Sequence, residues 1–426
     1  MKHGTLVKIL QEQVQPALGC TEPVAIALAC AKGARLLGGE VRNIAVSASK
    51  GLFKNAHGVG IPKTDEKGIL IAAALGAVAG DPDLGLQVLK NVQMEDVDNA
   101  KKLVRAGLVS AKFVNEPQGV YVESKVETAN GEAIVRIDGQ HNNISYIEVN
   151  GQIVHQQHVG QKVTNVGYNL KDFPLNDIIA GAAGLKPEDI SFLLEGIAIN
   201  KRIAEYGIKN RVGLGIGGGL ALLQEKNVLG CDIIDQVKTM VAAASDARMG
   251  GVDLPVMTSC GSGNQGIVAI MPVAMMAEKL GKREVATARA LAISHLVNVY
   301  VKEHLGKLSP ICGCSVSAGL GATAAITWLL GGSFEQISGA MKSIIANLSG
   351  MICDGAKGSC SFKLATSAGE AIICAYLAIN NIYIHAAQGI VEESLEGTIQ
   401  NLSMISKKGM EKTDEAILDI LLQRVS

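Results

Sequence analysis

Two cysteine-bearing stretches hold the residues best suited to chemistry: MICDGAKGSC at residues 351–360 and ICGC at residues 311–314. Asp, Gly, Ala, Lys, Gly and Ser separate Cys353 from Cys360. Such a polar spacer packs a core poorly and can turn two sulfurs toward one point. The following SFKLATSAGEAIICAYLAI repeats apolar residues at helical spacing, so Cys360 and Ser361 fall at a helix N-terminus. That end carries partial positive charge and unpaired N–H groups, which favour thiolates and anionic ligands. Ordinary burial competes as an explanation, because free Cys is among the most buried residue types. It does not account for a Gly-rich, polar setting.

Three other stretches carry candidate groups. GCTEP at residues 19–23 reads as the break between two helices, with Thr21 as N-cap and Pro23 in the first turn of the second. Cys20 then sits just ahead of a helix N-terminus, where its thiol pKa is expected to fall. GLFKNAHGVGIPKT reads as a Gly-rich loop carrying Lys54, Asn55 and His57. SCGSGNQG at residues 259–266 places hydroxyl, amide and backbone donors before an apolar helix, an arrangement that holds a carboxylate or phosphate. A plain capping turn would not need Ser262, Asn264 and Gln265 together. Cys260 has no assigned task, and Cys30, Cys231 and Cys374 read as core packing.

These residues need elements to position them. Residues 41–49 alternate like a strand, and residues 112–159 hold short alternating runs separated by NG, DG and EPQG turns. The second pattern predicts an antiparallel hairpin series. His141, His155 and His158 lie in it and read as exposed strand or turn residues. After residue 169 the pattern is helical almost to the end, with six strong candidates that include DIIDQVKTMVAAASDARM and SFEQISGAMKSIIANLSG. The expected fold is α+β. Residues 1–168 would form a mixed α/β domain carrying the Cys20 motif and the hairpins, and residues 169–426 an all-helical domain carrying the Cys312, Cys353 and Cys360 thiols. RVGLGIGGGL at residues 211–220 follows a helix rather than a strand, so its glycines read as close helix packing and not as a dinucleotide loop.

Composition sets outer limits. A chain of 426 residues with 49 glycines, six Phe and one Trp builds its core from Ala, Ile, Leu and Val at close backbone spacing. A net charge of −1 and a pI near 6.7 give no electrostatic reason to expect nucleic acid or a membrane surface as partner. The first residues, MKHGTLVKILQEQVQ, hold no apolar signal core, and the apolar run at residues 317–332 is short for a membrane span. A cytoplasmic protein is expected. Nine cysteines there stay reduced, which turns those in loops toward metal or catalytic use.

GCTEPVA, KNAHGVGIP, PVMTSCGSGNQG, SPICGCSVSAG and CDGAKGSC, in this order and spread over nearly the whole chain, resemble the L-cysteine desulfidase family, a relative of the iron–sulfur L-serine dehydratases. The resemblance implies a non-PLP β-elimination on a small L-amino acid, giving pyruvate and ammonia, with hydrogen sulfide as leaving group from cysteine. It also implies one [4Fe–4S] cluster held by Cys312, Cys353 and Cys360, with Cys314 as a substitute ligand and Cys20 as proton acceptor. An iron lacking a fourth thiolate has room for substrate and acts as a Lewis acid. Ser262, Asn264 and Gln265, together with Lys54, Asn55 or His57, would then fix the substrate carboxylate. The absence of a terminal cysteine in the closing LLQRVS, unlike related serine dehydratases, favours cysteine over serine as substrate. L-Serine dehydration by the same mechanism, a structural zinc site, a non-catalytic cluster sensor and a PLP enzyme are the rivals, the last without an evident cofactor lysine. A homo-oligomer is compatible with everything above.

Overall fold

A computed structural model describes residues 3–157, 169–385 and 387–423. His158 and the expected boundary at residue 168 lie outside the described residues. The chain opens with α1 (His3–Gln13), β1 (Pro16–Leu18) and α2 (Thr21–Leu37), then β2 (Val41–Ser49), α3 (Lys50–His57), α4 (Ile69–Ala79) and α5 (Met94–Arg105). The remaining sheet strands are β3 (Val109–Val114), β4 (Tyr121–Thr128), β5 (Gly131–Asp138), β6 (Ile144–Val149) and β7 (Gln152–Gln156). They form a six-stranded sheet in the order β3-β2-β4-β5-β6-β7, parallel only between β2 and β3. The hairpins turn where the sequence places them. At Asn150-Gly151 both residues have positive φ, 51° and 79°, the geometry that joins twisted strands by two residues. On β4, Val122, Ser124, Val126 and Thr128 alternate inward beneath α2, as a half-buried strand requires. The fold is α+β.

The helical part comprises α6 (Leu175–Ala183), α7 (Pro187–Ile190), α8 (Glu195–Asn210), α9 (Ile216–Glu225), α10 (Ile233–Met249), α11 (Gly263–Lys279), α12 (Glu284–Leu305), α13 (Ala318–Leu329), α14 (Phe334–Leu348), α15 (Cys360–Ile379), α16 (Leu395–Met404) and α17 (Thr413–Leu422). A short strand, β8 (Pro255–Met257), precedes α11. Close glycine packing is visible where α9 meets α10: a Cβ at Gly217 would lie 2.4 Å from the backbone nitrogen of Ala243. Among the described residues α15 alone is long and apolar enough to cross a membrane, and 56% of its apolar window is buried inside the protein, where it packs on α10, α13 and α14. Cys374 is buried as expected. Cys231 is not core: it is exposed, just ahead of the Asp232 cap that starts α10.

Two hydrophobic cores divide the molecule, and the chain ends cross between them. Leu6, Ile9, Leu10 and Val14 of α1 join the helical core, whereas Leu418 of α17 joins the core under the sheet. The strand pair that matters most for the site is small. β1 and β8 run antiparallel, Pro16 opposite Met257 and Leu18 opposite Pro255, so GCTEP and SCGSGNQG leave this three-residue pair from its two opposite ends.

Candidate active site

Backbone pairing also joins the two cysteine stretches. Ile311 bridges Ile352, the Cys312 N–H donates to the Met351 carbonyl at 2.8 Å, and the Cys353 N–H donates to Pro310 at 2.6 Å. Cys360 opens α15 as its spacing predicts. Cys312 and Cys360 are buried, Cys314 and Cys353 partly so, and all nine cysteines of the chain are free thiols. Cys312, Cys314, Cys353 and Cys360 lie close enough to influence one another. Cys314 hydrogen-bonds Cys312 and, with Ser315, holds its thiol down at about 5 against burial. That same bond and burial push Cys314 up. Burial raises Cys353 and takes Cys360 to about 11. Lys363 donates to the Ile352 carbonyl, and the buried Lys302, whose pKa burial lowers, stands within reach of Cys260 and of Cys312, Cys314 and Cys353.

Lys54, Asn55 and His57 lie on a helix, α3, and not in a loop. Residues 52–56 are all buried, and Leu52, Phe53 and Ala56 supply the apolar contact that fixes the helix despite Gly51 within it and Gly58 after it. Lys54 donates to the Cys353 carbonyl at 2.6 Å and pairs with Asp414. Asn55 donates to Glu22 at 3.0 Å and accepts from the Cys353 thiol at 3.8 Å. His57 faces elsewhere, ring to ring with Phe53, on a cleft of its own with Lys67 and Arg105.

Cys20, not Thr21, takes the N-cap position of α2, in extended conformation. Its thiol donates to Glu22 Oε2 at 3.0 Å, and the Thr21 hydroxyl donates to the same oxygen at 3.2 Å. The expected fall in thiol pKa is reversed: burial, and then the Glu22 carboxylate, raise it well above the ordinary value, outweighing Arg248. Burial also pushes Glu22 up, but His141, the Cys20 hydrogen bond and Arg248 bring it down on balance. A continuous path therefore runs from Cys20 through Glu22 and Asn55 to Cys353.

The donor stretch starts with a tight turn, in which Ser259 and Ser262 exchange backbone hydrogen bonds around Cys260 and Gly261, both at positive φ. Ser262 is the N-cap of α11, and its hydroxyl lies 3.9 Å from the Cys314 sulfur. Asn264 and Gln265 belong to the first helical turn rather than to the loop, and both are buried with their side-chain oxygens unpartnered. Gln265 reaches the backbone between Cys312 and Cys314: its Nε2 would lie 3.5 Å from a Cβ on Gly313. Beneath the turn, His295 Nδ1 and Asn298 Nδ2 each lie 2.9 Å from the Ser259 hydroxyl and hold it still.

His141 corrects the sequence reading. The β5–β6 turn folds over the two motifs, so that its ring is buried against Gly261, where a Cβ would stand 3.2 Å from Nδ1. Burial lowers it to about 4 despite the pull of Glu22. His155 is exposed as expected. Sequence reasoning also passed over Glu22, Arg248 and Lys302. A charged residue inside a run of small buried ones, as in AAASDARM, was the available signal for Arg248.

A model of the serine dehydratase alpha chain family matches residues 83–419. The chain belongs to the serine dehydratase alpha chain family. It is 43% identical over 427 residues to a UPF0597 protein of Clostridium tetani, covering 99% of each chain. A UPF0597 protein of Clostridioides difficile is 41% identical over 420 residues, covering 97% of this chain and 98% of its own. One from Alkaliphilus metalliredigens is 42% identical over 422 residues, covering 98% and 94%. Membership implies a lyase-type amino-acid dehydratase. Iron–sulfur clusters are a feature of serine dehydratase alpha chains. Among the described residues no three Cys, His, Asp or Glu side chains converge on the position of a single metal ion. Cys312, Cys314, Cys353 and Cys360 feel one another's charge, with Lys302 and Lys363 beside them, and thiols that surround no single-ion position suit a multinuclear group, three of them serving as ligands.

Proposed function

We propose that the chain catalyses a cluster-dependent β-elimination on a small L-amino acid, L-cysteine in preference to L-serine, releasing pyruvate, ammonia and sulfide in the cytosol. The observation that carries this reading is the hydrogen-bonded path from Cys20 through Glu22 and Asn55 to Cys353, which puts a proton-handling pair one side chain from the thiol group. Cys312, Cys353 and Cys360 would hold a [4Fe–4S] cluster, with Cys314 as alternative, and the group supplies a Lewis-acid iron when bound. Cys20 takes the α-proton on sulfur while its own proton passes to Glu22 Oε2, so a thiol of high pKa serves as base only as Glu22 accepts. Ser262, Asn264 and Gln265 bind the substrate. Lys54 and Asn55 instead hold the Cys353 turn and Glu22 in place, and His57 takes no part. Cysteine is preferred because a thiolate leaves more readily than hydroxide and suits a soft site. The family match keeps L-serine as the second reading.

The test is anaerobic reconstitution followed by pyruvate and sulfide assays on L-cysteine and L-serine. Cys20→Ser is expected to keep its iron and lose most turnover, whereas Ala at Cys312, Cys353 or Cys360 loses both. Turnover of serine without sulfide release from cysteine overturns the substrate choice. Full iron in all three Ala variants overturns the ligand assignment, and wild-type turnover in Cys20→Ser removes the base.

A further inference from the structure

Arg248, the second-last residue of α10, is 2% exposed. Its Nε and Nη2 have no hydrogen-bond partner, and no carboxylate among the described residues pairs with it. The two carboxylates nearest in sequence and space are already engaged. Asp246 accepts from the Ser361 hydroxyl at 2.7 Å and from the Gly217 N–H at 2.8 Å. Glu22 accepts from Cys20, Thr21 and Asn55. The Glu22 carboxylate is near enough to feel the Arg248 charge, but a buried guanidinium edge without hydrogen bonds is still unfavourable, and its setting makes matters worse. The group lies against Gly263, where a Cβ would be 2.3 Å from Nε and 2.8 Å from Cζ. Gly263 is the first residue of α11, so the cation sits at the positive end of a helix whose N-cap side chain, Ser262, makes no capping hydrogen bond. Glycine at this position is what lets the guanidinium approach so closely.

An anion at this point would relieve both defects. On the same helical turn, Asn264 Oδ1 and Gln265 Oε1 are buried acceptors without donors. Donors that need a carboxylate and acceptors that need an ammonium therefore flank one turn, and Cys20 is near enough to feel the Arg248 charge. We infer that Arg248 binds the α-carboxylate of the amino-acid substrate through its planar, two-pronged donor edge, with the Asn264 and Gln265 side-chain oxygens taking the α-ammonium. This deepens the proposed function and rests on it for the substrate being an α-amino acid. It makes Arg248 a substrate-binding residue that orients Cα toward Cys20. Lysine would supply charge but not the fork.

Calorimetric titration under argon with L-alanine, which cannot undergo elimination, and with L-alaninamide, which lacks the carboxylate charge, tests this without turnover. The wild-type protein is expected to bind L-alanine about 100-fold more tightly than L-alaninamide, the loss expected when a buried charged donor loses its partner. Arg248→Gln should abolish that ratio by weakening L-alanine alone, and Arg248→Lys should recover part of it. Gly263→Ala, which leaves the guanidinium in the chain but displaces it, should act like Arg248→Gln; it carries the test if Arg248→Gln fails to fold. An unchanged ratio in the folded Arg248 variants, or no binding of L-alanine by the wild type, overturns the inference. A ratio that behaves as expected in a protein that turns over neither cysteine nor serine overturns the proposed reaction and leaves the carboxylate site standing.

Discussion

Glu22 acts on Cys20 in two opposed ways, and the opposition is measurable. Its carboxylate helps to keep the thiol protonated, yet it is also the acceptor into which that proton must go. Glu22→Gln is therefore expected to lower the Cys20 pKa while reducing elimination. Alkylation of Cys20 by iodoacetamide, followed against pH, should show the rise in rate moved to lower pH in the variant, with turnover of L-cysteine down at least about 100-fold, the usual scale for a proton-transfer partner. Retained turnover together with the lowered pKa would make the thiolate alone sufficient. The sequence marked Cys20 because a cysteine before Thr-Glu-Pro stands at a helix start. It did not mark the direction of its pKa, because burial and a carboxylate two residues on outweigh a helix end. Arg248, His141 and Lys302 were hidden for a related reason: their partners come from segments far apart in the chain, and nothing local in the sequence records the meeting.

The elements themselves were more legible than the distances between them. α10 and α14 begin where their capping residues say they should: Asp232 accepts from the N–H groups of Ile234 and Asp235, and Ser333 with Gln336 forms a reciprocal cap. α3 was misread as a loop because Gly51 lies inside its eight residues and Gly58 directly follows them. Tertiary packing, not propensity, makes that segment helical. The abundance of glycine has a positional meaning that two substitutions separate. A Cβ at Gly76 on α4 would lie 2.2 Å from the Ala27 carbonyl oxygen of α2, so Gly76→Ala is expected to cost about 1–3 kcal/mol and to shift the helix that carries Cys20. Gly219 on α9 has open space around it, and Gly219→Ala should stabilise by roughly 0.5–1 kcal/mol. Thermal unfolding midpoints moving in the same direction for both would contradict the packing described for α2 and α4.

At the scale of the molecule the two cores are tied through the site. α17, from the end of the chain, seats Leu418 in the core under the sheet and brings Asp414 to Lys54 at 2.5 Å. Lys54 in turn holds the Cys353 carbonyl, so the C-terminal helix steadies one of the candidate cluster ligands from the far side. One helical turn away from this buried contact lies a surface one: Lys50 and Glu415 at 3.9 Å, with the glutamate side chain 58% exposed. The physics of the two pairs differs. Removing Asp414 leaves an ammonium that is 2% exposed with no counter-charge, which should cost on the order of 3 kcal/mol, whereas removing an exposed partner costs well under about 1 kcal/mol. Asp414→Ala is therefore expected to lower the thermal midpoint by several degrees and to reduce the iron retained after anaerobic reconstitution, because the Cys353 turn loses its clamp. Glu415→Ala should change neither. Equal effects of the two substitutions on stability would mean that Lys54 finds another partner. A stability loss with full iron retention would mean that the backbone pairing of residues 310–312 with 351–353 and the Lys363 contact hold the Cys353 turn without Lys54.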